Sequence, residues 1–247
     1  MQLSEKRAAA AMLDRPGIRS SLPTGTTREI VETLGRRIAN GFYAVGEVIP
    51  KEDQLAASLG VSRTTVRDAI KVLSGKSLVR TARRYGTRVQ PVDDWNLLDP
   101  DVLAWHEPAH PRFQAIFVEA MELRRMIEPE AAALAAVRAS PAQRRAILEA
   151  AEAFAQARGE VALLFAADCR FHTAVIAATG NLMMRQLSPT IVAMIQVAYD
   201  HGETRIRYGA NLGVPHVAAA LAIRDGDADL ARRRMSAMLY PDFLGTG

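Results

Sequence analysis

The decapeptide ADCRFHTAVI, residues 167–176, places a carboxylate and an imidazole four residues apart in an apolar, alanine-rich stretch. On a helix Asp168 and His172 would share one face, because residues four apart lie one above the other. Such a pair has three chemical interpretations: a metal-binding pair, a catalytic pair, or a satisfied polar contact inside a core. The residue types alone leave all three open, so the elements that position the pair must decide between them.

The composition favours a helical protein with a sizeable core. The chain has 247 residues, of which 49% are hydrophobic and 6% aromatic, so aliphatic side chains supply most of the apolar mass. A single cysteine excludes an internal disulfide and a cysteine-based zinc finger. No run of about 18 uncharged apolar residues marks a membrane span, and the N-terminus MQLSEKRAAAAMLDRPG makes a poor signal peptide. We therefore expect a cytoplasmic protein with no membrane partner.

Charge is divided unevenly along the chain, whose net charge is +4. Residues 1–91 contain 16 Lys and Arg against 8 Asp and Glu, whereas residues 92–247 contain 15 against 19. A basic first third predicts a module that meets a polyanion such as DNA. An ordinary solvated surface that is basic would give the same count, so charge alone does not distinguish it from a DNA-binding module.

The N-terminal third carries the pattern of a helix-turn-helix. Periodicity predicts a helix from about residue 26 to Asn40, a second over 51–58 and, after the tight turn LGV, a third that Ser62 caps. The apolar residues of the third helix face inward: Val66, Ala69, Ile70 and Leu73. Its outward or leading side chains suit guanine edges and phosphates in a major groove; they are Arg63, Thr64, Thr65 and Arg67. The basic stretch LVRTARRYGTRVQP then predicts a β-hairpin, and a generic bundle with surface arginines is the alternative.

The stretch IPKEDQLAASLGVSRTTVRDAIKVLSGKSLVRTARRYGTRV resembles the winged helix of GntR-type bacterial transcription regulators. The resemblance covers residues 26–91 and implies contacts with double-stranded DNA. Four contacts come from the third helix and two from the hairpin, or wing: Arg63, Thr64, Thr65, Arg67, Tyr85 and Gly86. The chain departs from the family at Asp53, where arginine is common. An acid there would repel phosphate, so no DNA contact is assigned to it.

We expect two folded domains joined by a linker. The predicted segments are a flexible tail (1–22), a winged helix-turn-helix domain (23–91), a linker (92–100), an all-helical domain (101–240) and a second tail (241–247). Trp95 and Trp105 lie in and beside the linker and are expected to pack between or onto the domains. His106 and His110 follow in a proline-rich connection and are predicted to be exposed.

The second domain shows helical patterns and no alternating strand pattern. The chain is therefore predicted to be mainly α-helical, with an antiparallel C-terminal bundle of six or seven helices. Residues 112–138 could form one long helix, which Pro129 should kink or restart. A further helix is predicted to begin after Ser140, and a long one to cover 181–208.

This domain resembles the FCD-type ligand-binding domain of the FadR branch of the GntR family, in the segments ELRRMIEPEAAALAA, ADCRFHTAVIAATGNLMM and HVAAALAIRDGDADLARRRM. The resemblance implies a divalent metal ion held by Asp168, His172 and His216. The fourth family ligand, a histidine, is Met238 here, which is a poor substitute. A carboxylate with two neutral imidazoles suits Zn, Ni, Mn or Fe. A metal-free, hydrogen-bonded pair is the alternative.

The resemblance also implies an effector pocket. Arg124 and Glu128 lie four residues apart, and arginine suits a bidentate grip on a small carboxylate; an ordinary surface ion pair is the alternative. Asn181 either reaches the effector or caps a helix. The stretch DDWNLLDPDVLAWH resembles the galactonate-operon repressor branch, so a sugar acid such as an aldonate is expected. A hydroxy acid, a dicarboxylate and an acyl thioester are the alternatives.

These features predict a DNA-binding transcription regulator that acts as a homodimer on a palindromic operator and responds to a small carboxylate. We expect a repressor, and an activator is the alternative. No nucleophile motif, Walker loop or dinucleotide fingerprint appears in the sequence, so the chain is not expected to be an enzyme. A metal-dependent hydrolase and a protein-docking adaptor are the alternatives from other classes.

Overall fold

The computed structural model describes residues 22–157, 161–202 and 213–239. The chain forms two compact units, of which the first ends at Phe113 and the second begins at Gln114. The predicted tails, 1–22 and 241–247, lie outside the described residues except for Leu22. Helices make up most of the described chain, and its named strands form one antiparallel pair, so the predicted fold class is confirmed.

The first unit contains the predicted winged helix-turn-helix. Its elements are α1 (Thr26–Ala39), α2 (Glu52–Leu59), α3 (Arg63–Gly75), β1 (Val79–Ala82), β2 (Gly86–Val89), a 3-10 helix (Val92–Asp94) and α4 (Pro100–Ala104). The buried residues of α3 are the four predicted ones, Val66, Ala69, Ile70 and Leu73. They share one core with buried side chains of α1 and α2, so the opposite face of α3 remains at the surface.

The wing is a tight antiparallel hairpin. Val79 pairs with Val89, and Val48 joins the ladder through an isolated bridge to Arg88. Gly86 has a φ of +81°, and a Cβ atom on it would lie 2.7 Å from Val48 Cγ1. Both the backbone conformation and the close approach therefore require glycine at this position.

The segment 92–113 packs within the first unit, although its sequence predicts a linker over 92–100. Trp95 and Trp105 lie in the same core as α1 and α3 and are 5% and 2% exposed. The Trp105 ring lies against Gly35 of α1, where a Cβ atom would come within 2.6 Å of it. Burial of the two indoles holds this segment on the helix-turn-helix.

A buried ion cluster joins the end of α3 to the same segment. The Lys76 ammonium lies 2.7 Å from Asp99 Oδ2 and 2.8 Å from Asp101 Oδ2, and the lysine side chain is 6% exposed. The Lys76 carbonyl also accepts the N–H of Asn96 at 3.2 Å. Charges buried in this way need their partners, so the cluster fixes the path of the chain after the wing.

The prediction that His106 is exposed is wrong, because the residue is 4% exposed. Its Nδ1 lies 2.9 Å from the carbonyl oxygen of Val102, one helical turn back. Burial lowers the pKa of the imidazole to about 4. The ring is therefore neutral at pH 7, and its Nδ1–H donates to that carbonyl. His110 is half-buried.

The second unit is a helical bundle with seven helices in its described part, in agreement with the predicted six or seven. They are α5 (Pro111–Arg138), α6 (Pro141–Gln156), α7 (Val161–Ala178), α8 (Leu182–Gln186), α9 (Ser188–Asp200), α10 (Val214–Asp225) and α11 (Ala228–Leu239). The first three residues of α5 belong to the first unit. α7 packs against α6 and α9, and α10 packs against α6 and α11. The core is rich in alanine, which lets helices approach closely.

Two of the predicted helices contain an internal proline, and the structure divides one of them. α5 runs through Pro129 without a restart, and Pro129 is itself buried, so packing outweighs the local cost of the ring. The helix predicted over 181–208 is two helices, α8 and α9, and the end of that range lies outside the described residues. The break falls just before Pro189, which occupies the first turn of α9, where a missing N–H is tolerated.

α7 has the length and hydropathy of a membrane-spanning helix, by composition alone. However, 56% of it is buried inside the protein, and it carries Asp168, Arg170 and His172. The central helix of a bundle passes the same test, so α7 is assigned to the core of the second unit.

Replacing Lys76 with methionine should destabilise the first unit by about 3–5 kcal/mol, because two carboxylates would lose their cation in a largely buried site. Lys71→Met is the matched control, since Lys71 pairs with Asp68 at the surface and its side chain is 70% exposed. Denaturant unfolding followed by tryptophan fluorescence reports on this unit, because both tryptophans of the chain lie in it. An unfolding midpoint of Lys76→Met equal to that of the control would show that the ion cluster does not stabilise the unit.

Candidate functional site

The leading end of α3 presents side chains that are predicted to contact DNA. Ser62 Oγ accepts the N–H of Thr65 at 3.1 Å and lies 2.8 Å from the Thr65 hydroxyl. This cap begins the helix and engages the hydroxyl of Thr65 within the protein. Arg63 and Thr64 are exposed. Together with the N–H groups of the first turn, they form a surface suited to anions.

Arg67 is held by a carboxylate of α2. Its guanidinium donates to both oxygens of Glu52, with Nη2–Oε2 at 2.8 Å and Nε–Oε1 at 3.2 Å. The hydrogen bond from Arg67 lowers the pKa of Glu52. The Arg67 side chain is still 53% exposed, so one edge of the guanidinium is fixed while the side chain remains open to solvent.

A cleft of about 390 Å³ lies between the start of α2 and the wing. Three basic side chains line it, those of Lys51, Arg63 and Arg84. The ring of Tyr85 and the carboxylates of Glu52 and Asp53 line it as well. Tyr85 is 75% exposed. Three of the six predicted DNA contacts, Arg63, Tyr85 and Gly86, therefore line one cleft, and the other three lie on α3.

A second cluster is buried in the helical unit. α7 supplies Asp168 and His172, α10 supplies His216, and α5 supplies Arg124 and Glu128. Asp168 Oδ1 lies 3.1 Å from His172 Nε2 and 3.1 Å from His216 Nε2. Glu128 Oε1 accepts Arg124 Nε at 2.5 Å, and Glu128 Oε2 contacts His172 Nδ1. The structure thus brings the predicted metal ligands and two predicted effector contacts into one cluster.

The ionisable groups of this cluster shift one another's pKa values. Burial opposes ionisation of Glu128, but Arg124 and His172 overcome it and lower the pKa of Glu128 to about 2. Burial also opposes ionisation of Asp168, but hydrogen bonds with the two histidines hold the pKa of Asp168 well below its usual range. Burial lowers the pKa of His216. At His172 burial is outweighed by Glu128 and Asp168, which raise its pKa. Both carboxylates are therefore ionised at neutral pH.

Two phenylalanines enclose the histidines. The ring of Phe154 packs on that of His216 with centroids 4.1 Å apart. Phe171 meets His172 and His216 edge-on, at 5.1 and 5.0 Å. Both phenylalanine side chains are fully buried. The charged groups therefore interact in a medium of low polarity, where their attractions are strong.

The donor atoms fit a divalent transition metal. One oxygen of Asp168 and one nitrogen each of His172 and His216 lie within 4.8 Å of one another. Around an ion with bonds of about 2.1 Å, neighbouring ligand atoms stand about 3.0–3.4 Å apart for octahedral to tetrahedral angles, and both 3.1 Å spacings at Asp168 fall in this range. A donor set of one oxygen and two nitrogens suits Zn, Ni, Mn or Fe. Met238 lies in the hydrophobic core of the unit, so the protein offers three ligands that these ions prefer.

Asn181 acts as a helix cap. Its Oδ1 accepts the N–H groups of Met183 and Met184 at 2.9 and 3.2 Å at the start of α8. Of the two roles that the sequence left open for Asn181, capping is the one with a hydrogen-bond basis in the structure.

Both units match known protein families. Residues 26–89 match the gntR family of bacterial regulatory proteins, and residues 119–240 match the FCD domain. The chain is 31% identical over 221 residues to the galactonate operon transcriptional repressor of Escherichia coli K12, covering 86% of this chain and 93% of that protein. The chain belongs to the GntR family.

Two further likenesses agree with this assignment. The GntR-family chain is 30% identical over 227 residues to an Escherichia coli K12 regulator named for the L-lactate dehydrogenase operon, covering 88% of this chain and 85% of the relative. Its fold resembles that of Lar, which controls the expression of the Listeria monocytogenes agr system, with a TM-score of 0.60 and 17% identity over 89% of this chain and 95% of that one. GntR-family members are transcription regulators, and this chain is one of them rather than an enzyme.

In this GntR-family chain, a site residue whose partner lies on another helix has no periodic signal in the sequence for that contact. The spacing of four predicts the pairs Asp168–His172 and Arg124–Glu128, because each lies on one helix. Glu52 orients Arg67 from a different helix. Contacts between helices depend on how the helices pack, which local spacing does not encode.

Proposed function

We propose that this chain is a cytoplasmic repressor that binds operator DNA through its winged helix and releases it when a small carboxylate enters the helical unit. The observation that carries this proposal is the buried cluster of Arg124, Glu128, Asp168, His172 and His216. Burying five ionisable side chains in an alanine-rich core costs stability. A domain that only joined two DNA-binding units would not need them, whereas a ligand site would.

The net charge of the cluster favours the binding of a metal cation, and the net charge of the metal-bound cluster would favour an anionic effector. A metal ion takes its imidazoles in the neutral form, although Glu128 and Asp168 raise the pKa of His172 before an ion binds. In the metal-binding form the two ionised carboxylates and Arg124 leave one net negative charge. A divalent ion held by Asp168, His172 and His216 would supply two positive charges and a Lewis-acidic centre. The net charge would then favour one carboxylate group, and Arg124 is the side chain suited to orient it. This balance supports an anionic effector.

We assign the effector to the sugar acids, with an aldonate as the first candidate. The support is the likeness to the galactonate operon transcriptional repressor over 93% of that protein. A hydroxy acid is the second candidate, supported by the likeness to the regulator named for the L-lactate dehydrogenase operon. Both classes carry a hydroxyl next to a carboxylate, which is a pair of oxygens that an ion and an arginine can share.

We infer that the DNA-bound form is a homodimer on a palindromic operator, because a twofold protein matches a twofold site. α3 would lie in the major groove, and the wing at Tyr85 and Gly86 would reach the backbone or the minor groove. An effector that couples to DNA binding by about 1–3 kcal/mol would change operator affinity roughly 5- to 150-fold. That range is sufficient for a transcriptional switch.

Arg63→Ala should weaken operator binding about 5- to 150-fold, because a good arginine contact to a base is worth about 1–3 kcal/mol. The wild-type protein first selects its operator from a pool of random duplexes, and fluorescence anisotropy then measures the affinity at several salt concentrations. Affinity should fall steeply as salt rises, because phosphate contacts release counterions. Arg67→Ala should weaken binding in the same assay.

Arg145→Ala is the matched control for both arginines. It removes the same charge from an exposed residue of α6 in the helical unit and should leave operator affinity unchanged. Equal affinities for Arg63→Ala and this control would remove Arg63 from the DNA interface. Failure of the wild type to select any sequence would favour a protein-docking adaptor instead.

Zn²⁺ should raise the melting temperature of chelator-treated protein, because an ion that binds only the folded state stabilises it. Galactonate should raise the melting temperature of the zinc-loaded protein further. Lactate, a dicarboxylate and an acyl thioester are tested separately in the same assay. Asp168→Asn should lose both shifts, since an amide is a poorer metal ligand than a carboxylate.

Asp225→Asn is the control for this experiment, because Asp225 lies on α10 with a side chain that is 57% exposed. It should retain both shifts. Absence of bound metal by elemental analysis, together with no zinc shift in the wild type, would contradict the metal site. A shift with an acyl thioester alone would contradict the effector class.

A further inference from the structure

Glu128 touches two members of the buried cluster without belonging to the three-residue donor set. Its Oε1 accepts Arg124 Nε at 2.5 Å, and its Oε2 contacts His172 Nδ1. The Glu128 side chain is 2% exposed. Because Glu128 lies on α5 whereas the donors lie on α7 and α10, this contact crosses a helix interface.

The contact determines which nitrogen of His172 can bind a metal ion. An ionised carboxylate accepts hydrogen bonds and donates none, so the ring nitrogen that faces it carries a proton. A proton on Nδ1 leaves Nε2 as the nitrogen whose lone pair can be given to an ion. Nε2 faces Asp168 Oδ1 at 3.1 Å, so while no ion is bound it also carries a proton, which it donates to that oxygen. An ion that takes Asp168 as a ligand would displace this Nε2 proton, whereas the Nδ1 proton would stay on the side of Glu128.

Arg124 fixes the orientation of the side chain at residue 128. A guanidinium only donates, so it requires an oxygen of residue 128 on its side, and the second carboxylate oxygen is left for His172. An amide at residue 128 would turn its oxygen to Arg124 and its NH₂ group to His172 Nδ1. His172 Nδ1 would then have to accept a hydrogen bond from the amide. The single proton of the neutral ring would therefore lie on Nε2, where it would block metal binding.

We propose that Glu128 is a positioning residue that holds His172 in its Nδ1–H tautomer and thereby presents Nε2 to a metal ion. The inference rests on the proposed metal site. It assigns Glu128 to the support of that site, whereas the sequence suggested a contact with the effector. Partners of this kind typically contribute about 10- to 100-fold in metal affinity.

Zinc affinity, measured by competition with a chromophoric chelator, tests this role. Glu128→Gln keeps the size of the side chain and should weaken zinc binding about 10- to 100-fold. Glu130→Gln is the matched control, because Glu130 lies on the same helix, is exposed, and pairs with Arg232 at 2.6 Å. It should bind zinc as tightly as the wild type. Equal affinities for the two variants would overturn the positioning role.

Nitrogen-15 NMR of the histidine rings provides a readout that packing alone would not change. In zinc-loaded wild type, His172 should show a protonated Nδ1 and a metal-bound Nε2, and Glu128→Gln should lose this pattern. A wild-type ring with metal on Nδ1 overturns the proposal even where the variant fails to fold.

The outcomes separate this inference from the proposed function. A wild type that binds no zinc overturns the metal site and the role of Glu128 together. A wild type that binds zinc, with the same tautomer in Glu128→Gln, overturns the positioning role and leaves the metal site standing.

Discussion

The helical unit depends on one carboxylate that is buried and yet ionised. Asp168 lies in an apolar core, where burial alone would favour its protonated form. It stays charged because imidazoles from two helices meet its Oδ1 at 3.1 Å. α7 and α10 must therefore approach each other at this point, and α5 completes the cluster with Arg124 and Glu128. The core of this unit is rich in alanine, whose small side chain lets helices approach closely.

The two units use charge in opposite ways. In the first, Arg63, Arg84 and Lys51 stand along an open cleft, where salt screens them and a polyanion can displace counterions. In the second, the charges are enclosed by phenylalanine rings and act on one another at short range. An open basic surface suits a long, highly charged partner. An enclosed, balanced cluster suits a small ligand that replaces a few specific contacts.

Local signals in the sequence predicted most of the fold. The cap at Ser62 and the inward residues of α3 are visible as spacing and residue type, and so is the pair Asp168–His172. The wing follows from its basic hairpin pattern. These features depend on residues within one or two turns of each other, which is the range over which sequence periodicity carries information.

The remainder depends on contacts between distant residues. The prolines near His106 suggested an exposed connection, but Trp95 and Trp105 bury this segment against α1. Lys76 meets Asp99 and Asp101 only because the chain turns back after the wing. No periodicity marks such a return, so neither the packing of 92–113 nor the partner of Arg67 could be read from spacing.

The most direct measurement is the operator affinity of zinc-loaded wild-type protein with and without a saturating aldonate or hydroxy acid. If the buried cluster senses a carboxylate and the winged helix reads DNA, one of these ligands should change the affinity about 5- to 150-fold. The same ligand should have no effect on Asp168→Asn. An operator affinity that is identical with every carboxylate and with none would contradict this account.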